Sequence, residues 1–443
     1  MDLNAIEKAP KQDGYLFSPG QAWFAFAMTL ALMIFDYVDR QVIVSLFPYL
    51  KAEWGLSDKQ LGALVSVVSV TVAIGALPVA LFADRVSRVK SIVAMATVWS
   101  LATISCMWAR GYGELLVARS VVGLGEAGYG SVGAALIASH FPSRLRGVLM
   151  AGFFAAASVG SVLGVLLGGV IAARWGWQAA FGVVGVPGLL LALLYLKVRD
   201  YHTVEMTPAL DAKRRSMGGT IRHIVKVLAR SRTMLWVCIG GAAQLIVVSA
   251  LWSWLPSFLN RVHGVAPADA GVKAALVVLC GAAGAVIWGA LVDRVGVRYP
   301  RRKLVLMALL CVASMGVLVA AFATTLQPSA QFSLIALGGF LATCTVGPVT
   351  AIVIDVIHPG VRATGASVLA LFQNLFGLAA GPFLAGILSD AWGLAPALTA
   401  TPLFALVAAG AFLMAAGSYE ADKARAAEAI DLEPAAATPN TLA

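Results

Sequence analysis

Twelve apolar runs, each long enough to cross a lipid bilayer, dominate the sequence and restrict what it can fold into. A hydrocarbon core about 30 Å thick takes roughly 20 helical residues to span. Inside it every backbone N–H and C=O must find a partner within the protein, and uninterrupted runs of this length do so as helices. The first six predicted spans cover residues 22–46, 60–83, 91–109, 115–138, 148–172 and 179–196. The second six cover 234–256, 271–292, 304–324, 332–357, 364–388 and 396–416. The expected fold is an all-α membrane protein with twelve transmembrane helices in two six-helix bundles. The N-terminal bundle is expected over 1–196, a basic cytoplasmic linker over 197–232, the C-terminal bundle over 233–417, and a solvated, disordered tail over 418–443.

Composition excludes the soluble alternatives. Hydrophobic residues make up 60% of the chain and charged ones 12%, against about 25% charged in soluble domains. A soluble enzyme, a disordered chain and a nucleic-acid-binding module are all ruled out. The net charge of +10 then has to be located before it is interpreted. With the N-terminus inside, the connections on the inner side carry 24 Lys and Arg and those on the opposite side carry 5, with Arg40, Arg119 and Lys273 at membrane depth. By the positive-inside rule both termini are expected in the cytoplasm, as in a multi-pass protein of the cell (inner) membrane. The basic charge is thus topological, and no nucleic-acid partner is expected. The first run is longer than a signal-peptide apolar region and is expected to remain as the first span. The five cysteines and five histidines form no metal-ligand spacing, no phosphate-binding loop motif is present, and neither metal nor cofactor is expected. The pattern G-x-G-x-x-G at Gly123–Gly128 lies inside a span with no strand before it, so its small residues are read as helix packing.

The two halves repeat. "GALPVALFADRVSRVK" leaves helix 2 and "GAVIWGALVDRVGVRYPRRK" leaves helix 8. "HFPSRLRGVLMAG" joins helices 4 and 5, as "IHPGVRATGASV" joins helices 10 and 11. Such a parallel repeat implies two similar bundles with a site between them near the midplane.

These landmarks resemble the major facilitator superfamily, whose helix 2–3 loop carries G-x-x-x-D-R-x-G-R-[RK]. Gly289, Asp293, Arg294 and Gly296 match it in the second copy; Asp84, Arg85, Arg88 and Lys90 match the charged positions in the first. The resemblance implies a cytoplasmic gate formed by Asp84, Arg85, Arg88, Asp293 and Arg294. Within the superfamily, "FDYVDRQVIVSLFPYL", "ARSVVGLGEAGYGSVGAALIASHFPSRLR" and "SALWSWLPSFL" are similar to the Spinster-like lipid transporters, with Asp36 in place of the usual Asn. "GSVLGVLLGG" in helix 5 lacks the proline of the superfamily's antiporter motif and is read as packing.

Charges inside spans are costly, by about 2.5–3.5 kcal/mol each, and are therefore candidates for function. Asp36, Asp39 and Arg40 lie in helix 1, Arg119 and Glu126 in helix 4. At a rise of 1.5 Å per residue, Asp36 and Asp39 lie about 21 and 26 Å from the inner face and Arg119 about 24 Å, with Glu126 nearer the middle. An aspartate of helix 1 and Arg119 are therefore expected to pair, their proton occupancy coupled to opening and closing. The subfamily resemblance gives the proton-carrying role to Asp39, with Arg119 and Glu126 as its partners and Asp36 as the alternative. Arg40, Arg119, Tyr129, Gln244, Gln373 and Asn374 are the candidates for lining a substrate cavity. Trp252 and Trp254 are expected as interfacial anchors. The expected activity is proton-coupled secondary transport by alternating access, by a monomer with the bilayer and protons as its partners. The substrate implied by the resemblance is an amphipathic lipid such as a lysophospholipid. The alternative is a small organic anion held by Arg40 and Arg119.

Overall fold

The structure, a computed structural model, describes residues 15–200, 231–357 and 362–431. The central part of the expected linker and the end of the tail lie outside these. Among the described residues twelve helices are long and apolar enough to cross a membrane, and no strand occurs. They are α1 (Pro19–Trp54), α2 (Asp58–Val86), α3 (Arg88–Trp108), α4 (Tyr112–His140), α5 (Ser143–Trp175) and α6 (Trp177–Tyr195). The second set is α7 (Arg232–His263), α8 (Pro267–Arg298), α9 (Pro300–Ala323), α10 (Pro328–Asp355), α11 (Gly365–Trp392) and α12 (Leu394–Ala426).

By their contacts the residues divide into two units, Met1–Tyr49 with Thr71–Val204, and Leu50–Val70 with Glu205–Ala443. This differs from a simple division at the linker, because the start of α2 joins the second unit.

In the first unit α5 lies directly against α1. Gly160, Gly164 and Gly168 recur every fourth residue and face the carbonyls of Ile34, Val38 and Val42 in turn. A Cβ on Gly164 or on Gly168 would stand 2.6 Å from the opposing carbonyl oxygen. In a bilayer the lipid tails are as apolar as leucine, so close packing of small residues does much of the work that burial does in water. Ser45 adds a bond from its Oγ to the Val165 carbonyl, 2.7 Å. α1 turns through a short 3₁₀ stretch at Ile43–Leu46 and then restarts, so Pro48 falls in the first turn of the new helical piece. There its missing N–H removes no intrahelical bond, and the span runs on to Trp54, beyond its expected end.

In the second unit α2 begins against α11 and α7. Asp58 is buried and takes Lys51 Nζ at 2.6 Å, Arg261 Nη1 at 2.7 Å and Ser389 Oγ at 2.5 Å on its carboxylate. Asp390 accepts the N–H groups of Asp58 and Lys59, both at 2.8 Å, and so satisfies donors at the start of α2. Gly62 lies against the Pro382 carbonyl, and Ser66 Oγ donates to the Ala379 carbonyl at 2.6 Å.

The middle of α11 is a π-helical stretch, Gln373–Leu378, with the Ala379 N–H bonded to the Asn374 carbonyl five residues back. Pro382 lacks the donor its fourth-preceding residue would need, and the wider turn absorbs the mismatch. Side chains of α7 bond carbonyls on either side of this bend: Ser249 Oγ donates to Gly377, and Trp254 Nε1 to Pro382. Trp254, expected at the membrane interface, is fully buried for that reason.

α12 continues helically to Asp431, so the expected disordered tail is helical over its first part, up to Asp431. The cause is Asp422, which is buried and accepts from Ser231 Oγ and Thr233 N at the start of α7. Tyr419 and Lys303 both bond Asp355 Oδ2, at 2.8 and 2.7 Å, tying α12, α9 and α10 together.

Candidate functional site

The buried charges of the first unit gather where α1, α3 and α4 meet. α4 is broken just beyond Glu126, where Ala127 turns extended and Gly128 takes φ +83°. That conformation costs glycine nothing and other residues a Cβ clash. The last glycine of the G-x-G-x-x-G stretch therefore interrupts the span, while Gly125 earlier in it lets α4 approach the backbone of Trp99 on α3.

Two separate ion-paired sets result. In one, Arg119 of α4 sends Nη1 to the backbone carbonyl of Asp39 at 3.1 Å and to its Oδ1 at 3.3 Å. Thr103 of α3 donates to the other carboxylate oxygen, Oδ2, at 2.7 Å. The Arg119 side chain is 0% exposed and that of Asp39 2%. Of the two helix 1 aspartates at the right level, Asp39 is thus the one brought to Arg119.

In the other set Arg40 stands between two carboxylates. Its Nε lies 2.9 Å from Asp36 Oδ1 and 3.0 Å from Glu126 Oε2. Nε carries a single proton, and Asp36 receives the hydrogen bond. Neither oxygen of Glu126 has a hydrogen-bond donor among the described residues, so charge alone holds this buried carboxylate. The Arg40 guanidinium also lies 5.3 Å from the Tyr37 ring centroid, within cation–π range. Its side chain is 17% exposed, while the Glu126 side chain is sealed. Glu126, expected as a partner of Asp39, is thus ion-paired with Arg40 instead.

The substrate candidates divide. Arg119 is sealed from solvent and engaged by Asp39, so a two-arginine anion site does not assemble. Tyr129 lies in the bundle core: its hydroxyl donates to the Thr29 carbonyl at 2.6 Å and its ring packs edge-on against Trp99. Gln244 is buried and bonds Ser314 Oγ and the Ala342 carbonyl, joining α7 to α9 and α10. Gln373 and Asn374 are half-buried on the π-helical stretch, with Asn374 Nδ2 bonded to the Ala370 carbonyl. Of the expected gate residues, Asp293 and Arg294 are exposed near the end of α8, and half-buried Arg88 reaches the Ala135 carbonyl at 3.4 Å. The side chains of Asp84 and Arg85 lie outside the described residues.

Thr103 and Asp58 were not singled out from sequence. A threonine in an apolar run has no local mark to separate it from others that bond their own helix, and Asp58 lies between two apolar runs with nothing in its sequence neighbourhood to set it apart.

The family model of the Major Facilitator Superfamily matches residues 29–382 and 249–438. An MFS-type efflux pump of Mycolicibacterium smegmatis is 28% identical over 375 residues, covering 84% of this chain and 85% of that protein. The gallate transporter of Pseudomonas putida is 28% identical over 426 residues, 88% of this chain and 91% of that one. Protein spinster of Drosophila melanogaster is 24% identical over 389 residues, 83% of this chain and 62% of that one. Among solved structures, a bacterial homologue of the human lysosomal transporter Spinster, inward-facing and unoccupied, superposes with TM-score 0.81 at 22% identity, covering 92% of this chain and 99% of that one.

Proposed function

Because the chain belongs to the Major Facilitator Superfamily, and is therefore a multi-pass membrane transporter and not an enzyme, we propose that it carries a small organic anion together with protons by alternating access. The observation behind this reading is Arg40, a part-exposed cation held between Asp36 and Glu126. With both carboxylates ionised the trio carries a net charge of −1 and repels an anion. One proton makes it neutral, and a second leaves Arg40 as a net cation that can take a substrate acid group in place of a carboxylate. Substrate and proton then bind together because each removes the obstacle to the other, which is linkage between two ligands at one cluster. Glu126 is the less compensated of the two carboxylates, being buried and without a hydrogen-bond donor among the described residues. Asp39 and Arg119 form the second proton-linked pair.

The similarity to a gallate transporter supports an acid substrate. An amphipathic lysophospholipid is the second reading, supported by the likeness to protein spinster along most of the chain. Its phosphate would use the same arginine. The same reading has both termini cytoplasmic, the cell (inner) membrane as the location, a single chain as the working unit, and Asp84, Arg85, Arg88, Asp293 and Arg294 as a gate.

The test is uptake into proteoliposomes from a panel of aromatic acids, sugar acids and lysophospholipids, with and without an imposed pH gradient. Gradient-driven accumulation of an organic acid is expected for the wild-type protein and is lost in Asp39→Asn and Glu126→Gln, with Arg40→Ala losing substrate binding itself. Accumulation of a panel acid that survives both carboxylate substitutions in folded protein would overturn the coupling. Transport confined to lysophospholipids would overturn the substrate class.

A further inference from the structure

α3 and α4 enclose a groove on their outward side, a space of about 760 Å³. Its walls are two stripes of the same spacing. Val98, Leu101, Ala102 and Ser105 of α3 follow the i, i+3, i+4, i+7 spacing of one helical face, and so do Glu114, Val117, Ala118 and Val121 of α4. Alanines at the same place in each stripe supply the depth, and exposed Leu101 and Val117 stand at the rims. The Ser105 hydroxyl is turned back onto the Ala102 carbonyl, 2.6 Å, so the wall presents no open donor there.

In a membrane such a groove is filled by an acyl chain, but filling alone selects nothing, because one lipid tail is as good as another. Selection comes from the end of the groove. Glu114 is the single charged residue among those lining it. It is exposed, and its Oε2 accepts the Arg110 N–H at 2.9 Å, which fixes the carboxylate at the turn between α3 and α4. Trp108, also exposed at that turn, has the placement of a headgroup-level aromatic. A fixed carboxylate at headgroup level attracts an ammonium group and repels an anionic head.

We propose that this groove is a binding site for one membrane phospholipid with an amine headgroup, its chain between α3 and α4 and its ammonium at Glu114. The site lies about 150° round each helix from Thr103 and from Arg119. A bound lipid thus braces, from behind, the two helices that hold Asp39.

The experiment is native mass spectrometry of the full-length protein exchanged into equal amounts of phosphatidylethanolamine and phosphatidylglycerol, with the thermal midpoint recorded in each lipid alone. Wild-type protein is expected to retain one lipid, enriched in phosphatidylethanolamine about fivefold, the worth of one charge contact at a membrane surface. Glu114→Gln keeps an oxygen for the Arg110 N–H and should bring the ratio close to one, with the stabilisation by phosphatidylethanolamine lost. Ala118→Trp should fill the groove and lower the lipid retained. An equal headgroup ratio in wild-type protein, or a preference unchanged in Glu114→Gln, overturns the proposal even if Ala118→Trp fails to fold.

Discussion

Replacing Arg119 by methionine is expected to destabilise the protein by about 3–5 kcal/mol, the cost of leaving one member of a buried ion pair without the other. The geometry places this change at the upper end of single-site effects. Asp39 is 1% exposed and would keep only the Thr103 hydroxyl, 2.7 Å from Oδ2, as a side-chain donor. Its backbone carbonyl would also lose the Arg119 Nη1 bond. No solvent reaches the site to screen the charge, so the discount that applies to surface pairs does not apply here. The folded-to-unfolded ratio should fall by roughly two to three and a half decades. Dodecyl sulfate titration followed by tryptophan fluorescence would measure it. Asp39→Asn with Arg119→Met should recover much of the loss, since the amide oxygen still accepts from Thr103 and no charge is stranded. A coupling of at least about 2 kcal/mol between the two substitutions is expected, within the range for contacting residues. A single substitution costing under about 0.5 kcal/mol, or strict additivity in the pair, would refute the buried-pair account.

Thr103→Val should cost about 1–3 kcal/mol, the range for losing a hydrogen bond to a charged group, with Thr103→Ser restoring it in the same titration. Gly164→Leu sets side-chain atoms against the Val38 carbonyl and should cost about 3 kcal/mol or more, seen as loss of a monodisperse peak in detergent gel filtration, whereas the same change at half-buried Gly289, where a Cβ would have nothing within 4 Å, should be tolerated. Asp58→Asn removes the counter-charge of Lys51 and Arg261 and should cost about 1–3 kcal/mol by the same titration, less than a sealed pair because Lys51 is 40% exposed.

The spans could be read from the chain because hydropathy acts locally: a run of twenty apolar residues has one low-energy arrangement in a bilayer, whatever surrounds it. The same holds for the level of each intramembrane charge, which follows from rise per residue, and so Asp39 and Arg119 could be expected at one depth. Depth is not azimuth, however. That Glu126 faces Arg40 and not Asp39 depends on how α1 and α4 are rotated and how closely they approach. Those are set by the α1–α5 glycine contacts and by the α4 break at Gly128, each requiring a partner helix or a backbone state that spacing does not encode. Tyr129 and Trp254 looked available in one dimension, and each is buried because a carbonyl on another helix accepts from it. α12 runs on through a charged, alanine-rich stretch because Asp422 meets the start of α7, a contact 189 residues away in sequence. The chain alone thus determined what crosses the membrane and which charges lie within it. Only the packed structure decided which charges meet, since pairing depends on contacts between helices distant in sequence.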